Sequence, residues 1–288
     1  MMKKEIIFHK MHGLGNDYIY INLDQYPIDD LEKFARVYSD RRFGVGGDGV
    51  ITYQKDNSAD YLMRVFNLDG SEALMCGNAI RCVAKLLYES GLCKKNTIRI
   101  NTLSGIKELS LTVDGVTVTD VRVDMNPPHV TNNYKIIYLD DMSVVGVQVD
   151  VGNPHFINFI DDDPDDYPLS EIGPKVENHK DFADGVNYEV VQVFNPHHVK
   201  MRVWERGSGL TFACGTGATA IAVAGIATKR LESPVKVSMP GGDLTIEWDG
   251  RESSPAYMIG GATLVYEGRI NDDAGLWVTS EWKENFVS

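Results

Sequence analysis

The feature that most constrains how this 288-residue chain can fold is that it repeats itself once. Met63-Arg64-Val65-Phe66 returns as Met201-Arg202-Val203-Trp204, and each run is followed by a Cys-Gly pair, Cys76-Gly77 and Cys214-Gly215. The offset is 138 for both, nearly half the chain. A second echo, Gly15-Asn16-Asp17-Tyr18 against Gly152-Asn153-Pro154-His155, lies at an offset of 137. Matches clustered at the two ends of one strand–loop–helix unit indicate tandem duplication of a half, and two like halves must then pack together. A linker is expected near 115–125, with the acidic loop 161–166 inside the second half.

The local patterns agree. Alternating or β-branched runs predict strands at 4–9, 18–23, 61–66, 97–102, 108–113 and 117–124, then at 135–138, 145–151, 188–194, 199–204, 235–238, 243–248 and 262–266. Helices are expected at 30–39, 78–90 and 216–229. The last contains Ala218-Thr219-Ala220-Ile221-Ala222-Val223-Ala224-Gly225-Ile226-Ala227, apolar on every side, so it should be buried all round. Strands wrapped about a central helix satisfy that demand. In 78–90 the residues Arg81, Lys85 and Glu89 form one stripe expected to face water.

Composition narrows the function. Lys and Arg number 28 against 41 Asp and Glu, a net charge of −13, so nucleic acid and anionic membranes are excluded as partners. No run approaches the ~18 apolar residues of a membrane span. The start, MMKKEIIFHKM, carries too short an apolar run for a signal peptide, and a cytoplasmic protein is expected. Cys76, Cys82, Cys93 and Cys214 form no CxxC or CxxxH pair, so neither a structural zinc site nor disulfide staples are expected. Gly44-Val45-Gly46-Gly47-Asp48-Gly49 satisfies GxGxxG, but Val50-Ile51-Thr52-Tyr53 after it reads as a strand where dinucleotide binding needs a helix.

Cys76 and Cys214 each stand just before a helix, whose unpaired N–H groups and partial positive charge lower a thiol pKa from about 8.5 and can also hold a carboxylate. Gly77 and Gly215 let backbone approach a ligand. Two such halves related by a rough two-fold would set the cysteines face to face, where one removes a proton from a substrate carbon and the other returns one from the opposite side, inverting the centre. Cys82 and Cys93 lack this setting and are read as packing residues.

These residues resemble the diaminopimelate epimerases, pyridoxal-independent two-cysteine enzymes. The likeness rests on KMHGLGNDY (10–18), RRFGVGGDG (41–49), FNLDGSEALMCGNAIRC (66–82), GNPHF (152–156), GVN (185–187) and WERGSGLTFACGTGA (204–218). It implies an α+β fold of two pseudo-symmetric halves, each a β-rich barrel-like sheet around a central helix, divided as 1–118 plus 263–288 and 119–262. It implies interconversion of LL- and meso-2,6-diaminopimelate, in lysine and peptidoglycan precursor biosynthesis, with no cofactor and no metal. Cys76 and Cys214 are implied as the acid–base pair, with His155 and Glu205 tuning them. Asn16, Asn67, Asn153, Asn187, Glu205 and Arg206 are implied as substrate-binding side chains, with Gly77, Asn78, Gly215 and Thr216 giving backbone N–H groups. A homodimer is implied, with Tyr266 a candidate contact. Some members carry Gln where this chain has Gly49, so Gly49 is left outside the site. A proline or hydroxyproline epimerase is the alternative on the same architecture. A non-catalytic amino acid binder is the contrasting class, and it would have no use for two thiols at helix starts.

Overall fold

In the computed structural model, residues 4–140 and 142–272 are described, and they form eighteen strands and four helices. The first repeat runs β1 (Lys4–Gly13), β2 (Asn16–Asn22), α1 (Leu31–Tyr38), β3 (Gly49–Lys55), β4 (Tyr61–Asn67), β5 (Glu72–Ala73), α2 (Gly77–Glu89), β6 (Thr97–Thr102), β7 (Gly105–Asp114), β8 (Thr117–Asp124) and β9 (His129–Tyr138). The second runs β10 (Ser143–Asp150), β11 (Pro154–Ile160), α3 (Leu169–Glu177), β12 (Asn187–Asn195), β13 (His198–Glu205), β14 (Gly209–Leu210), α4 (Gly215–Ala227), β15 (Val235–Met239), β16 (Gly242–Glu247), β17 (Tyr257–Gly260) and β18 (Thr263–Asp272).

The duplication is visible in every pairing. β2 and β3 are parallel, as are β11 and β12; β4 and β6 are parallel, as are β13 and β15. The remaining ladders are antiparallel and also recur, β6–β7–β8 as β15–β16–β17. Two features join the repeats. β8 pairs with its counterpart β17, and the repeats exchange their last strands, so that β9 pairs with β10 and β18 with β1.

All eighteen strands join in one sheet, which wraps two helices. α2 packs on β1, β2, β7, β8 and β18, and α4 on β9 to β12 and β15 to β17. Residues 217–225 of α4 are all buried, as the all-round apolar pattern requires. The stripe on α2 behaves differently from the expectation: Arg81 and Lys85 are buried. Lys85 Nζ donates to the Val118 carbonyl (2.6 Å) and to Glu89 Oε1 (2.7 Å), and Glu89 Oε1 accepts the Val118 N–H (2.8 Å). Lys85 and Glu89 therefore complete the hydrogen bonding of β8, Arg81 turns inward elsewhere, and only Glu89 keeps the expected exposure to water. Outside the wrapped helices, α1 caps a cluster of Ile6, Phe8, Ile19, Ile21, Val50 and Phe66, and α3 a cluster around Phe156, Phe182 and Tyr188.

Candidate active site

Cys76 and Cys214 are the N-cap residues of α2 and α4 and share an extended backbone, φ −134° ψ 115° and φ −126° ψ 111°. The two helix starts converge. A Cβ on Gly77 would lie 3.2 Å from Met258 Cε, and one on Gly215 only 2.8 Å from Met258 Sδ, so glycine is what admits β17 between them. Asn78 Nδ2 also reaches the carbonyl of Ala213, beside Cys214, at 3.5 Å.

The thiols differ in their surroundings. Cys76, partly buried, donates from Sγ to Asn16 Oδ1 at 3.3 Å and interacts with the Tyr18 hydroxyl. Cys214 is buried; its Sγ accepts the Gly217 N–H at 3.3 Å and lies 3.4 Å from Thr216 Oγ1. The helix ends were expected to lower both thiols, and the balance goes the other way. Burial pushes both up, outweighing the N–H groups of Asn78 and Ala79 at Cys76 and of Gly217 at Cys214. The Glu205 carboxylate adds to the rise at both, and Glu189 at Cys214, so Glu205 of the second repeat acts on cysteines from either repeat. Cys82 and Cys93 are buried packing residues, and burial takes the Cys82 thiol up to about 11.

His155, on β11, is wholly buried. Its Nδ1 lies 2.6 Å from Glu189 Oε1 and its Nε2 lies 3.1 Å from Asn153 Oδ1. The ring is held between the two oxygens, which fixes its orientation. Asn153 Nδ2 continues the chain to Thr216 Oγ1 (3.5 Å), so Glu189, His155, Asn153 and Thr216 lead to Cys214. Glu189 escaped the sequence reading. Its signal was a carboxylate within the apolar run 188–191, where both faces of β12 are buried. Glu205, at the end of β13, accepts from the Thr211 hydroxyl; burial raises its carboxyl, with the Thr211 and Cys214 hydrogen bonds opposing.

The KMHGLGND and RRFGVGGDG motifs meet around Asn16. Asp48 Oδ2 accepts from Asn16 Nδ2 (2.7 Å), which turns Asn16 Oδ1 toward Cys76. Arg41 bridges Asp48 (2.8 Å) and Asp17 (2.6 Å), and Lys10 pairs with Asp17 (2.6 Å) and the Gly46 carbonyl. The glycine run thus positions an amide, and β3 follows it as a strand, against dinucleotide binding.

The other expected residues are placed less uniformly. Asn187 is buried, donating to the Pro154 carbonyl (3.0 Å) and accepting the Arg206 N–H (2.9 Å), so its side chain braces the site's backbone. Arg206 reaches the Asp184 carbonyl at 2.9 Å and has no ion pair among the described residues. Asn67 Nδ2 turns to Ser71 Oγ at 3.0 Å within its own hairpin. The side chain of Asn78 is held by Arg81 Nη2 (3.0 Å). Gly49 cannot be exchanged simply: a Cβ there would lie 2.0 Å from the Phe66 carbonyl oxygen and 3.0 Å from Tyr18 Cε1. Tyr18 therefore occupies room beside Cys76 that a longer residue at 49 would need. A cavity of about 540 Å³ on the second repeat, between Met201, Leu210, Phe212 and Met239, reaches this region only at Thr211. Among the described residues no group of three or more acidic, His or Cys side chains could hold a metal, and no helix is long and apolar enough to cross a membrane.

One eighteen-stranded sheet wrapped around two helices, each starting at a cysteine, defines the fold. The same fold is found in a hydroxyproline epimerase from Agrobacterium vitis (TM-score 0.72, 16% identity, 96% of this chain and 95% of that one) and in a Bacillus anthracis phenazine biosynthesis protein of the PhzF family (0.71, 17%, 93% and 99%). Sequence relatives are nearer. The diaminopimelate epimerase of Parabacteroides distasonis is 48% identical over 269 residues, covering 93% of this chain and 99% of its own. That of Methanococcus maripaludis is 43% identical over 276 residues, covering 92% and 99%. With the family profile matched over residues 8–131 and 147–265, the chain belongs to the diaminopimelate epimerase family.

Proposed function

We propose that this protein interconverts LL- and meso-diaminopimelate by moving protons between Cys76, Cys214 and one α-carbon. The observation that carries this reading is the equivalent placement of two cysteines as N-caps of two converging helices. One sulfur, as thiolate, takes the α-proton: the Cα–H bond breaks and an S–H bond forms. The other, as thiol, gives its proton to the opposite face, and the configuration inverts. The reverse reaction uses the same groups in exchanged roles.

Burial serves this chemistry. A thiol whose pKa is raised gives a more basic thiolate, which narrows the gap to the weakly acidic Cα–H. The N–H groups at residues 77–78 and 215–216, at the starts of α2 and α4, would hold the charge that develops on a substrate carboxylate. Glu205, beside Cys214, and His155, through Asn153 and Thr216, act on the state of the second thiol. Asn16 Oδ1 accepts a hydrogen bond from Cys76 Sγ when that residue is thiol. Arg206, free of carboxylate partners among the described residues, suits a substrate carboxylate. Asn67, Asn153 and Asn187 frame the remaining contacts, Asn187 chiefly by fixing the backbone at Pro154 and Arg206.

The proposed units are 1–118 plus 263–288 and 119–262; the β1–β18 pairing supports the return of the last strand, whereas the cut at 118 falls inside β8, whose ladder with β7 keeps it with the first unit through Val123, and residues 273–288 lie outside the described residues. A homodimer in the cytoplasm is the expected working state, with Tyr266 on β18, partly exposed, as a candidate contact. The test is to incubate reduced protein with LL-diaminopimelate in D₂O without pyridoxal and to follow stereochemistry and deuterium by NMR and chiral chromatography. Meso product deuterated at the inverted centre is expected. Bound, unexchanged substrate would overturn the two-base reading, and activity on proline instead would overturn the substrate.

A further inference from the structure

Arg81 is fully buried, and among the described residues it has no carboxylate partner. A buried guanidinium is ordinarily paired, because taking an unpaired charge out of water costs several kcal/mol. Here the donors are spent on neutral acceptors from both repeats. Nε donates to the Gly261 carbonyl (3.2 Å), Nη1 to the Gly77 carbonyl (3.1 Å) and Met258 Sδ (3.5 Å), and Nη2 to Asn78 Oδ1 (3.0 Å). Asn78 carries the line onward, from its Nδ2 to the Ala213 carbonyl.

The route is informative. Gly261 is in the joint between β17 and β18, where the exchanged strand leaves one unit for the other. Gly77 follows Cys76, and Ala213 precedes Cys214. The room for the guanidinium is itself built, since a Cβ on Gly13 would sit 3.0 Å from Nη2 and one on Gly260 3.5 Å from Nε. The counterpart of Arg81 in the second repeat is Thr219, whose hydroxyl goes to the Gly215 carbonyl within its own helix (2.9 Å). The strut therefore has no mirror copy.

We propose that Arg81 and the Asn78 side chain form a positioning strut that fixes the spacing between Cys76 and Cys214 across the seam of the repeats. Neither side chain touches the reacting atoms, and the backbone N–H of Asn78 survives in Asn78→Ala. The inference rests on the proposed two-base chemistry, in which both sulfurs must reach one carbon. An error of about 1 Å in such an arrangement costs about 100-fold in rate.

The test uses the full-length protein with Arg81→Met, Arg81→Lys and Asn78→Ala. Three quantities are measured: kcat and KM for LL-diaminopimelate, deuterium entering the starting isomer without inversion, and the rate of Cys76–Cys214 disulfide formation under a fixed oxidant. The strut predicts that kcat falls about 100-fold in Arg81→Met and about 10-fold in Asn78→Ala. KM should stay within about threefold, exchange with retention should rise relative to inversion, and disulfide formation should slow in step with kcat. Arg81→Lys, able to keep one of the two ends, should fall between wild type and Arg81→Met. Should Arg81→Met not fold, Arg81→Lys and Asn78→Ala carry the same comparison. Near-wild-type kcat in Asn78→Ala, or a lost kcat with unchanged disulfide formation, overturns the strut. Failure of the underlying reading is distinct, since wild-type protein would then give no inversion.

Discussion

Changing each cysteine to alanine should silence the enzyme equally while destabilising it unequally. Cys214 caps α4 by accepting the Gly217 N–H at 3.3 Å, whereas the Asn78 and Ala79 N–H groups lean toward Cys76 without closing a cap hydrogen bond. Loss of a cap costs about 1 kcal/mol, and removing a buried sulfur about another 1 kcal/mol. Cys214→Ala should therefore lose about 2 kcal/mol, which for a chain of this size lowers Tm by about 4–8 °C. Cys76 is only partly buried and its bond goes to Asn16, so Cys76→Ala should lose about 0.5–1 kcal/mol and about 1–4 °C. Both should lose about 10³-fold or more in α-proton exchange, the order expected on deleting an acid–base group. Calorimetry and deuterium incorporation read the two effects separately. Equal Tm losses would refute the difference in capping, and near-normal turnover in either variant would refute two-base chemistry.

Other outcomes follow from single contacts. Tyr18→Phe removes a hydroxyl that stabilises the Cys76 thiolate, so the pH midpoint for alkylation of Cys76 should rise while that of Cys214 stays; peptide mass spectrometry reads both, and an unmoved Cys76 midpoint would refute the contact. Gly49→Ala drives a Cβ into the Phe66 carbonyl and should cost about 1–3 kcal/mol, visible as a lowered denaturation midpoint; an unchanged midpoint would show that the strand yields freely. The Cys214 thiol sits well above its ordinary 9.0, so an unfolded chain ionises there first. The stability this group contributes is full below pH 9 and is lost as pH rises beyond it, so urea titrations from pH 8 to 10 should slope downward less steeply in Cys214→Ala.

Much of this was legible in the sequence because the repeat and the apolar helix are strong signals. The strands 97–102 and 117–124 fall where alternation put them, and α4 is buried on every side. What escaped has physical causes. The α3 helix contains Pro174, which reads as a breaker although the helix tolerates it over one short stretch. β11 is a short apolar run after a turn, and β5, β14 and β17 span four residues or fewer. Arg81, Lys85 and Glu89 have the spacing of a wet face, yet only Glu89 stays exposed: β8 draws Lys85 inward, and Gly261 and Met258 of the other repeat receive Arg81. The motif residues Asn16, Asp48 and Arg41 are distant in sequence, so their role in aiming one amide at Cys76 exists only once β2 and β3 lie side by side. Glu189 could be noticed as an anomaly in its strand, yet its partner His155 is reached only through the parallel β11–β12 ladder.

The exchange of last strands also bears on how the chain is made. β1 pairs along its length with β18, Lys4 opposite Asp272. Loop closure over so long a separation comes late and slowly. During synthesis, at about 5–20 residues per second, the edge of β1 stays open until residues 263–272 have emerged. For those seconds the nascent protein carries an unsatisfied strand edge of the kind that templates aggregation. β1 is thus completed by a strand about 260 residues later in the chain, and the burden of protecting its edge until then falls on whatever shelters the chain as it leaves the ribosome.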